Sequence, residues 1–439
     1  MRFGESWDAG HLFPPRELIL TRSDMDVYEM LSDQLVAETI QASEDFIADR
    51  RAVDLDRWKV VMEKGTTSAY RYRSRGHRRV KRNRLLTEEA VDASYLHRPK
   101  LYSTDSTLSD LFTRGHTHLS CDSSIDDDDD SMGGSDSFPT SRTDGETPDE
   151  SILGKTRPPN TPLVFGGGII PGTIEDAGLG FLADSEDRSR MRALANKDLS
   201  MKDLRILAHL RGPTRDDPFR FLGLKWSSYA PGQTGGLIAK SRDSVVLEAT
   251  GMKMDTNGER VFYFLSHSVE IEEVPEYRKQ GLVRLRTSSC RIVRPYTVHG
   301  HVEVFFRGYC NVGGHFSVAA STQLLCIHLL DSAEVIEESY MKKLAWFVHT
   351  NARRQPSHKS HDDKRDGCAC CHKLPTKGLK KLLESNTTCF LCRHKVCKKC
   401  TVKKHLLIDK SSKKYLEFCL TCYLKAKNLS AVKVALASM

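Results

Sequence analysis

Four Cys-x2-Cys pairs crowd the last part of this chain: Cys368 and Cys371, Cys389 and Cys392, Cys397 and Cys400, Cys419 and Cys422. The gaps between pairs are 17, 4 and 18 residues. A CxxC turn presents two thiolates to one metal ion, and two such clips complete a closed tetrahedral site. Eight sulfurs in this arrangement call for two ions, and all-thiolate tetrahedral ligation selects Zn2+. A closed site keeps no position for water, so the ions are expected to hold structure and not to carry catalysis. Nine of the 13 cysteines lie between Cys368 and Cys422, which in a reduced compartment points to metal and not to disulfides. Cys370 is the odd thiol. The x2 spacing selects Cys368 and Cys371, with a shifted Cys370–Cys371 register as the alternative.

The positive charge sits in the same region. From Asn351 to Met439 there are 21 Lys and Arg against 6 Asp and Glu, a balance of +15. Residues 1–350 hold 45 against 52, a balance of −7, and the sum is the chain's +8. Such a field suggests an anionic partner: membrane headgroups, nucleic acid or an acidic protein. The chain's 439 residues leave room for two to three domains at roughly 100–200 residues each. No run of about 18 apolar residues occurs, so no membrane-spanning helix is expected. The charged N-terminus lacks an apolar core, so no secretory signal is expected. The expected location is the cytoplasm, with peripheral attachment to endomembranes or entry to the nucleus as further options.

Apolar spacing organises the rest. Ser23 to Ala48 reads as an amphipathic helix, with Val27, Met30, Leu31, Leu35, Ile40 and Phe46 or Ile47 near helical period and Ser23 with Asp24 as its cap. Trp58–Met62 and Ser68–Tyr72 read as strands. Arg71 to Arg84 packs eight basic residues into fourteen and is expected to be a solvated loop. Ser103 to Pro162, rich in Ser, Thr, Asp, Gly and Pro, includes five consecutive aspartates, Asp126 to Asp130. It cannot bury enough apolar surface to offset its ordering entropy and is expected to be disordered. Ser185 to Leu210 reads as a helix on Met191, Leu194, Leu199, Leu204, Leu207 and Leu210. Strands follow at Phe221–Trp226, Ser244–Ala249, Val261–Leu265, Leu282–Arg286 with Arg291–Val293, and Val302–Phe306, joined in part by the Thr256-Asn257-Gly258 turn. Such closely spaced strands predict an antiparallel sheet. A last helix opens on a capping-box-like Asp331 and Glu334. Its apolar stripe is Ile336, Tyr340, Leu344, Phe347 and Val348, and Glu337, Glu338, Lys342 and Lys343 are expected on its polar face.

In this order of elements the chain resembles the START family of lipid-binding domains. The carriers are the opening helix, Trp58 to Tyr72, Phe219 to Trp226, Asp243 to Gly251, Val261 to Glu270 and Ala333 to Phe347. The resemblance implies an α+β fold, a helix-grip antiparallel sheet around a long C-terminal helix, with a tunnel for one lipid. The expected division is an N-terminal helix and first strands over 1–102, a disordered acidic insertion over 103–162, the remainder of the START-like domain over 163–350, a linker over 351–366, a finger over 367–427 and a tail over 428–439.

The four-residue gap between Cys392 and Cys397, with Val396 inside it, resembles FYVE-type fingers. That resemblance implies a cross-brace: Cys368, Cys371, Cys397 and Cys400 on one ion, Cys389, Cys392, Cys419 and Cys422 on the other, with a ladder pairing as the alternative. The chain departs from fingers that read phosphatidylinositol 3-phosphate. In place of their basic RRHHCR-like run it has Ser385-Asn386-Thr387-Thr388-Cys389-Phe390. Glu417 stands where a basic residue precedes the seventh cysteine, and the tryptophan-aspartate motif is missing. Arg393, His394, Lys395, Lys398 and Lys399 are the candidates to meet lipid headgroups. If the finger is an independent module, replacing Cys389 or Cys397 by Ser should unfold it and spare the domain before it.

No Ser/His/Asp elbow, P-loop or HExxH motif occurs, and Gly166-Gly167-Gly168 is too isolated to be a phosphate loop. No catalytic residue is assigned. The reading is a non-enzymatic lipid-binding, lipid-transfer or membrane-adaptor protein. The alternatives are a RING-like ubiquitin ligase, since RING fingers share the cross-brace, and a zinc-dependent protein-interaction adaptor. Nucleic-acid binding ranks below these, because the tail has few aromatics for base stacking.

Overall fold

The computed structural model describes residues 14–73, 84–85, 151–195, 201–230, 233–234, 237–238, 240–354, 367–373, 387–409 and 412–439. Ten strands form one sheet. They are β1 (Trp58–Lys64), β2 (Thr67–Tyr72), β3 (Val164–Pro171), β4 (Met201–Arg211), β5 (Phe221–Tyr229), β6 (Ser241–Met254), β7 (Arg260–Ser268), β8 (Leu282–Arg284), β9 (Arg286–Pro295) and β10 (His301–Asn311). Their order is β1-β2-β3-β10-β9-β7-β6-β5-β4, with every pair antiparallel. Short β8 lies parallel to the start of β6. The Thr256-Asn257-Gly258 turn joins β6 to β7, with Gly258 at φ +77°, where glycine alone carries no steric penalty.

Period-two alternation sorts the side chains onto two faces. On β7, Val261 and Leu265 join an outer core, while Phe262 and Phe264 join an inner one. Helix α1 (Arg22–Ala48) covers the outer face over β9, β7, β10 and β6, its Leu35, Val36 and Ile40 sharing a cluster with Val245, Leu247, Val261, Leu265 and Ile292. The inner face is covered by α3 (Ile174–Phe181), α5 (Val318–Leu330) and α6 (Ser332–Arg354); the short α2 (Ile152–Thr156) precedes α3, and α4 (Glu186–Ala195) follows it. The class is α+β: a large antiparallel sheet with a long helix near its C-terminal end.

Several sequence expectations are corrected. The cap of α1 is Thr21, in a capping box with Asp24, and Val27 and Met30 are exposed, so the buried stripe begins further along. The predicted helix over Ser185–Leu210 ends at Ala195, and Met201–Arg211 is edge strand β4. Leu204 and Ile206 alternate with Arg205, and the register against β5 then shifts between Ile206 and Ala208, which lets Leu207 and Ala208 both join the outer core. Residues 151–162, expected to be disordered, are ordered: Ser151 caps α2, and Leu153 is buried against the α1 side. Leu282–Arg286 is not one strand: β8 ends at Arg284 and β9 opens at Arg286, and Arg284 is buried and holds Asp243 through two bonds of 3.1 and 3.0 Å. The carboxylates of Asp331 and Glu334 do not form a capping box; both accept from Lys64 Nζ. On α6, Ile336, Tyr340, Leu344 and Val348 are buried as the stripe predicted, but so are Glu338 and Lys343 from the supposed polar face. Most of Arg71–Arg84 and all of Ser103–Glu150 lie outside the described residues.

The three consecutive glycines lie in β3, between β2 and β10. A Cβ on Gly166 would stand 2.0 Å from the Ser68 carbonyl oxygen, and one on Gly167 would stand 2.2 Å from that of Val304. The run therefore serves close strand approach.

Candidate functional site

Clips one and two are built alike. His372 N–H donates to the Cys368 carbonyl at 2.8 Å, and Arg393 N–H donates to that of Cys389 at 2.9 Å. Each donor follows the second cysteine of its clip, and each has positive φ, +57° and +62°. The chain then returns, with Cys368 N–H on the Lys373 carbonyl and Cys389 N–H on that of His394, both at 3.0 Å. Clips three and four instead start helical turns. Cys397 caps a 3-10 turn over Lys398–Cys400, and Cys419 caps α7 (Leu420–Lys427), its sulfur accepting from Cys422 N–H at 3.3 Å. Strands β11 (Thr387–Thr388) and β12 (Lys395–Val396) pair, as do β13 (Thr401–Asp409) and β14 (Ser412–Cys419).

These turns gather the sulfurs into two groups, Cys368, Cys371, Cys397 and Cys400, and Cys389, Cys392, Cys419 and Cys422. Within each group all four sulfurs lie within 4.8 Å of one another. Each group joins one clip of the first kind to one of the second. Zn–S bonds of about 2.3 Å at tetrahedral angles separate sulfurs by about 3.8 Å. The Cys371–Cys397 and Cys392–Cys419 sulfurs are 3.7 and 3.9 Å apart. Cys370 is in neither group; its N–H donates to Cys368 Sγ at 3.4 Å and its thiol lies 3.5 Å from Thr421 Oγ1. Sulfurs this close cannot all ionise without a cation among them. Burial and the neighbouring Cys389 and Cys392 sulfurs push the Cys422 thiol up to about 12. Burial opposes ionisation of Cys368 too, but amides of Cys397, Cys371 and Cys370 outweigh it and hold that thiol down to about 6. The donor set therefore suits two soft dications, which would be held by four thiolates each and would supply tertiary cross-links.

The finger's core is Val396, Leu406 and Phe418, which share a cluster with Leu344 and Val348 of α6. The tail continues into α8 (Ala431–Leu436), whose Ala431, Val434 and Ala435 join the inner core beside α3 and α6. Lys427 lies 4.5 Å over the Tyr340 ring. Residues 428–439 are thus a packed element of the body, which the sequence did not signal. Arg393, His394, Lys395, Lys398 and Lys399 are all exposed. Arg393 stacks over Phe390 at 5.0 Å.

The inner face of the sheet is not purely apolar. Glu248 accepts from Lys225 Nζ at 2.6 Å and from Arg192 Nη2 at 2.7 Å. Burial pushes the Lys225 ammonium down to about 8, against the pull of Glu248. Lys343 pairs with Asp176 at 2.5 Å. Lys342 donates to the Leu179, Gly180 and Leu182 carbonyls at the end of α3 and pairs with Glu338. Arg291, on β9, donates from Nη2 to the His328 carbonyl at 2.7 Å and lies 5.4 Å from both the Phe181 and Phe264 rings. Sequence reading placed Arg291 in a strand and nothing more.

No family model matches the chain, and no curated protein matches it. Among solved structures it is similar to human STARD10, at 9% identity and a TM-score of 0.34 over 71% of this chain and 83% of that one. Human StAR-related lipid transfer protein 5 matches at 14% and 0.35 over 72% and 97%. The lipid transfer and protein localization domain of human StarD13 (DLC2) matches at 16% and 0.28 over 41% and 77%.

Proposed function

We propose that this chain is a non-enzymatic lipid-binding protein whose sheet and inner helices shelter one lipid and whose finger, clamped by two Zn2+ ions, docks on an anionic membrane surface. The observation that carries the metal part is the gathering of the eight paired cysteines into two quartets, each with its four sulfurs within 4.8 Å of one another. The lipid part draws on the START-like order of elements in the sequence and on the inner layer, where a long helix covers a mix of aromatic and paired charged side chains. The exposed Arg393, His394, Lys395, Lys398 and Lys399 support membrane attraction, each basic residue adding about 1 kcal/mol near an anionic surface. The family route to phosphatidylinositol 3-phosphate lacks its basic run here, so general anionic charge is the proposed recognition element.

Native mass spectrometry of the purified chain tests both parts together. Two zinc ions and one co-purifying lipid are the expected result. A metal-free chain would overturn the finger reading, and a chain that never carries or accepts lipid would overturn the lipid reading.

A further inference from the structure

The two sulfur quartets share a plan but not a setting. In the second, Cys389 is 0% and Cys419 2% exposed, and Cys392 and Cys422 are half-buried. In the first, Cys368 alone is buried, Cys397 and Cys400 are half-buried, and Cys371 is exposed. The finger's apolar cluster takes in the other seven cysteines of the quartets but not Cys371. The shell around a metal site controls what solvent and solutes can reach it. Solutes therefore meet the first quartet directly at a sulfur, and they meet the second across a packed core.

The clips are also anchored unequally. Clip four opens α7, and the chain then runs on to α8 in the inner core of the body. Clip two is tied to the strand ahead of clip four by Phe390 N–H on the Glu417 carbonyl, at 2.8 Å. Clip one has weaker ties. Among the described residues, its bonds to the rest of the finger outside the quartet are Ala369 N–H on the Lys395 carbonyl, at 3.0 Å, and the Cys370 thiol against Thr421 Oγ1, at 3.5 Å. Opening the second quartet would free the helix that leads into the body. Opening the first leaves the β13–β14 ladder and α7 in place and frees clip one.

We infer that the first quartet is an exchangeable zinc site and the second a permanent one. The inference rests on the two-zinc reading above and divides its two sites by role. The first site gives its ion to a competing chelator or thiol, while the second keeps the finger folded on the body. The step is ligand exchange, and no electron is transferred. An incoming donor replaces Cys371 first, because that sulfur is the one a solute reaches. The other three bonds follow as clip one swings away, and the displaced thiolates take protons from water. The same exposure makes Cys371 the ligand sulfur most open to soft electrophiles, since thiol reactivity follows thiolate character and access. Cys370, half-buried and outside the quartet, is a free thiol whether the ion is bound or not.

The test uses the full zinc-loaded chain and excess 4-(2-pyridylazo)resorcinol, which takes zinc and reports it by colour. Release should come in two steps of one ion each, the first faster by at least about tenfold, the scale on which the surroundings of a zinc ligand act. Native mass spectrometry between the steps should find a chain carrying one ion. N-ethylmaleimide added at that point adds across the S–H of each freed thiol. Peptide mapping should then find Cys371, Cys397 and Cys400 marked and Cys389 and Cys419 spared, with Cys370 marked both before and after the first step. Cys371→Ser should abolish the fast step and leave one slowly released ion and an unchanged thermal midpoint of the body. Release of both ions in a single step overturns the inference and leaves the two-zinc reading standing. So does a one-ion intermediate in which Cys389 and Cys419 are marked and Cys371 is spared. A chain that never holds metal overturns both. Should Cys371→Ser fail to fold, the wild-type release and mapping still decide.

Discussion

Lys404, on the finger's β13, is ion-paired to Glu337 on α6 of the sheet body. The two modules that the spacing suggested are therefore one packed unit. The pair is partly exposed, so Glu337→Gln should cost under about 1 kcal/mol. The apolar part of the seam matters more. Leu344 is fully buried between the body and the finger, and Leu344→Ala should cost about 2–5 kcal/mol. Urea unfolding of both variants checks the ranking, and Leu344→Ala should also release zinc to a chelator faster. Equal effects would mean the seam is held by charge.

Removing one metal ligand should reach beyond the finger. Cys389 is fully buried, and structural zinc contributes on the order of 10–16 kcal/mol to such folds. Cys389→Ser should lower bound zinc from two ions to one or none. The sequence suggested that the body would be spared, but α8 follows the last cysteine by a few residues and packs into the inner core. The body's thermal midpoint should therefore fall as well, by several degrees for each kcal/mol or two lost. An unchanged body transition in differential scanning calorimetry would restore the picture of a tethered module.

The fold was legible where side-chain period and element agreed. Val302 to Phe306 alternate, and they form β10. The CxxC spacing pointed to the two cysteine quartets because paired thiols at short, fixed separations leave few other geometries. Met201–Arg211 misled because Leu204, Leu207 and Leu210 mimic a helical stripe, and register shifts against β5 break the strand alternation that would have competed with it. Helix α5 gave no signal because Val318–Leu330 is apolar nearly all round, as a helix wedged between sheet and α6 is. Arg291 and Lys343 looked like ordinary strand and helix-surface residues. What surrounds them, a carbonyl and two aromatic rings for Arg291 and the Asp176 carboxylate for Lys343, is fixed only by the tertiary structure.

The Glu248 hub should be intolerant of single changes. Glu248→Gln leaves Lys225 and Arg192 in the interior without a carboxylate, and breaking such a pair typically costs 3–5 kcal/mol. Adding Lys225→Met removes one stranded charge and should recover part of the loss. Chemical denaturation of the single and double variants checks this. A double variant less stable than Glu248→Gln would mean that the ammonium contributes through its bonds to the Ala183 carbonyl and the Ser189 hydroxyl.

Acid should destabilise the body through His267. Its ring is 2% exposed, bonds Ser288 Oγ at 2.8 Å, and burial lowers its pKa from 6.5 to about 4. Between those values the unfolded chain binds the proton and the folded one does not, so stability is complete above 6.5 and falls as pH drops towards 4. From pH 6.5 to pH 5 the loss is about 2 kcal/mol at 1.36 kcal/mol per unit. His267→Asn should keep the Ser288 contact and flatten this slope, measured against wild type so that metal loss cancels. A slope identical to wild type would place the acid sensitivity elsewhere.

The proposed docking of the finger on membranes depends on which of its many cations are free to act. Lys403 is paired with Glu417 at 3.0 Å and Lys404 with Glu337, so neither adds much net field. Lys398 and Lys399 lie exposed on the 3-10 turn between the third pair of cysteines. At about 1 kcal/mol each near an anionic surface, the double change Lys398→Ala with Lys399→Ala should weaken binding to phosphatidylserine vesicles roughly thirtyfold at low salt. Lys403→Ala should change it far less. Because the attraction is electrostatic, the difference should shrink as ionic strength rises past 0.15 M, where the screening length is about 8 Å. Binding that resists salt, or that weakens equally in all these variants, would point instead to apolar insertion.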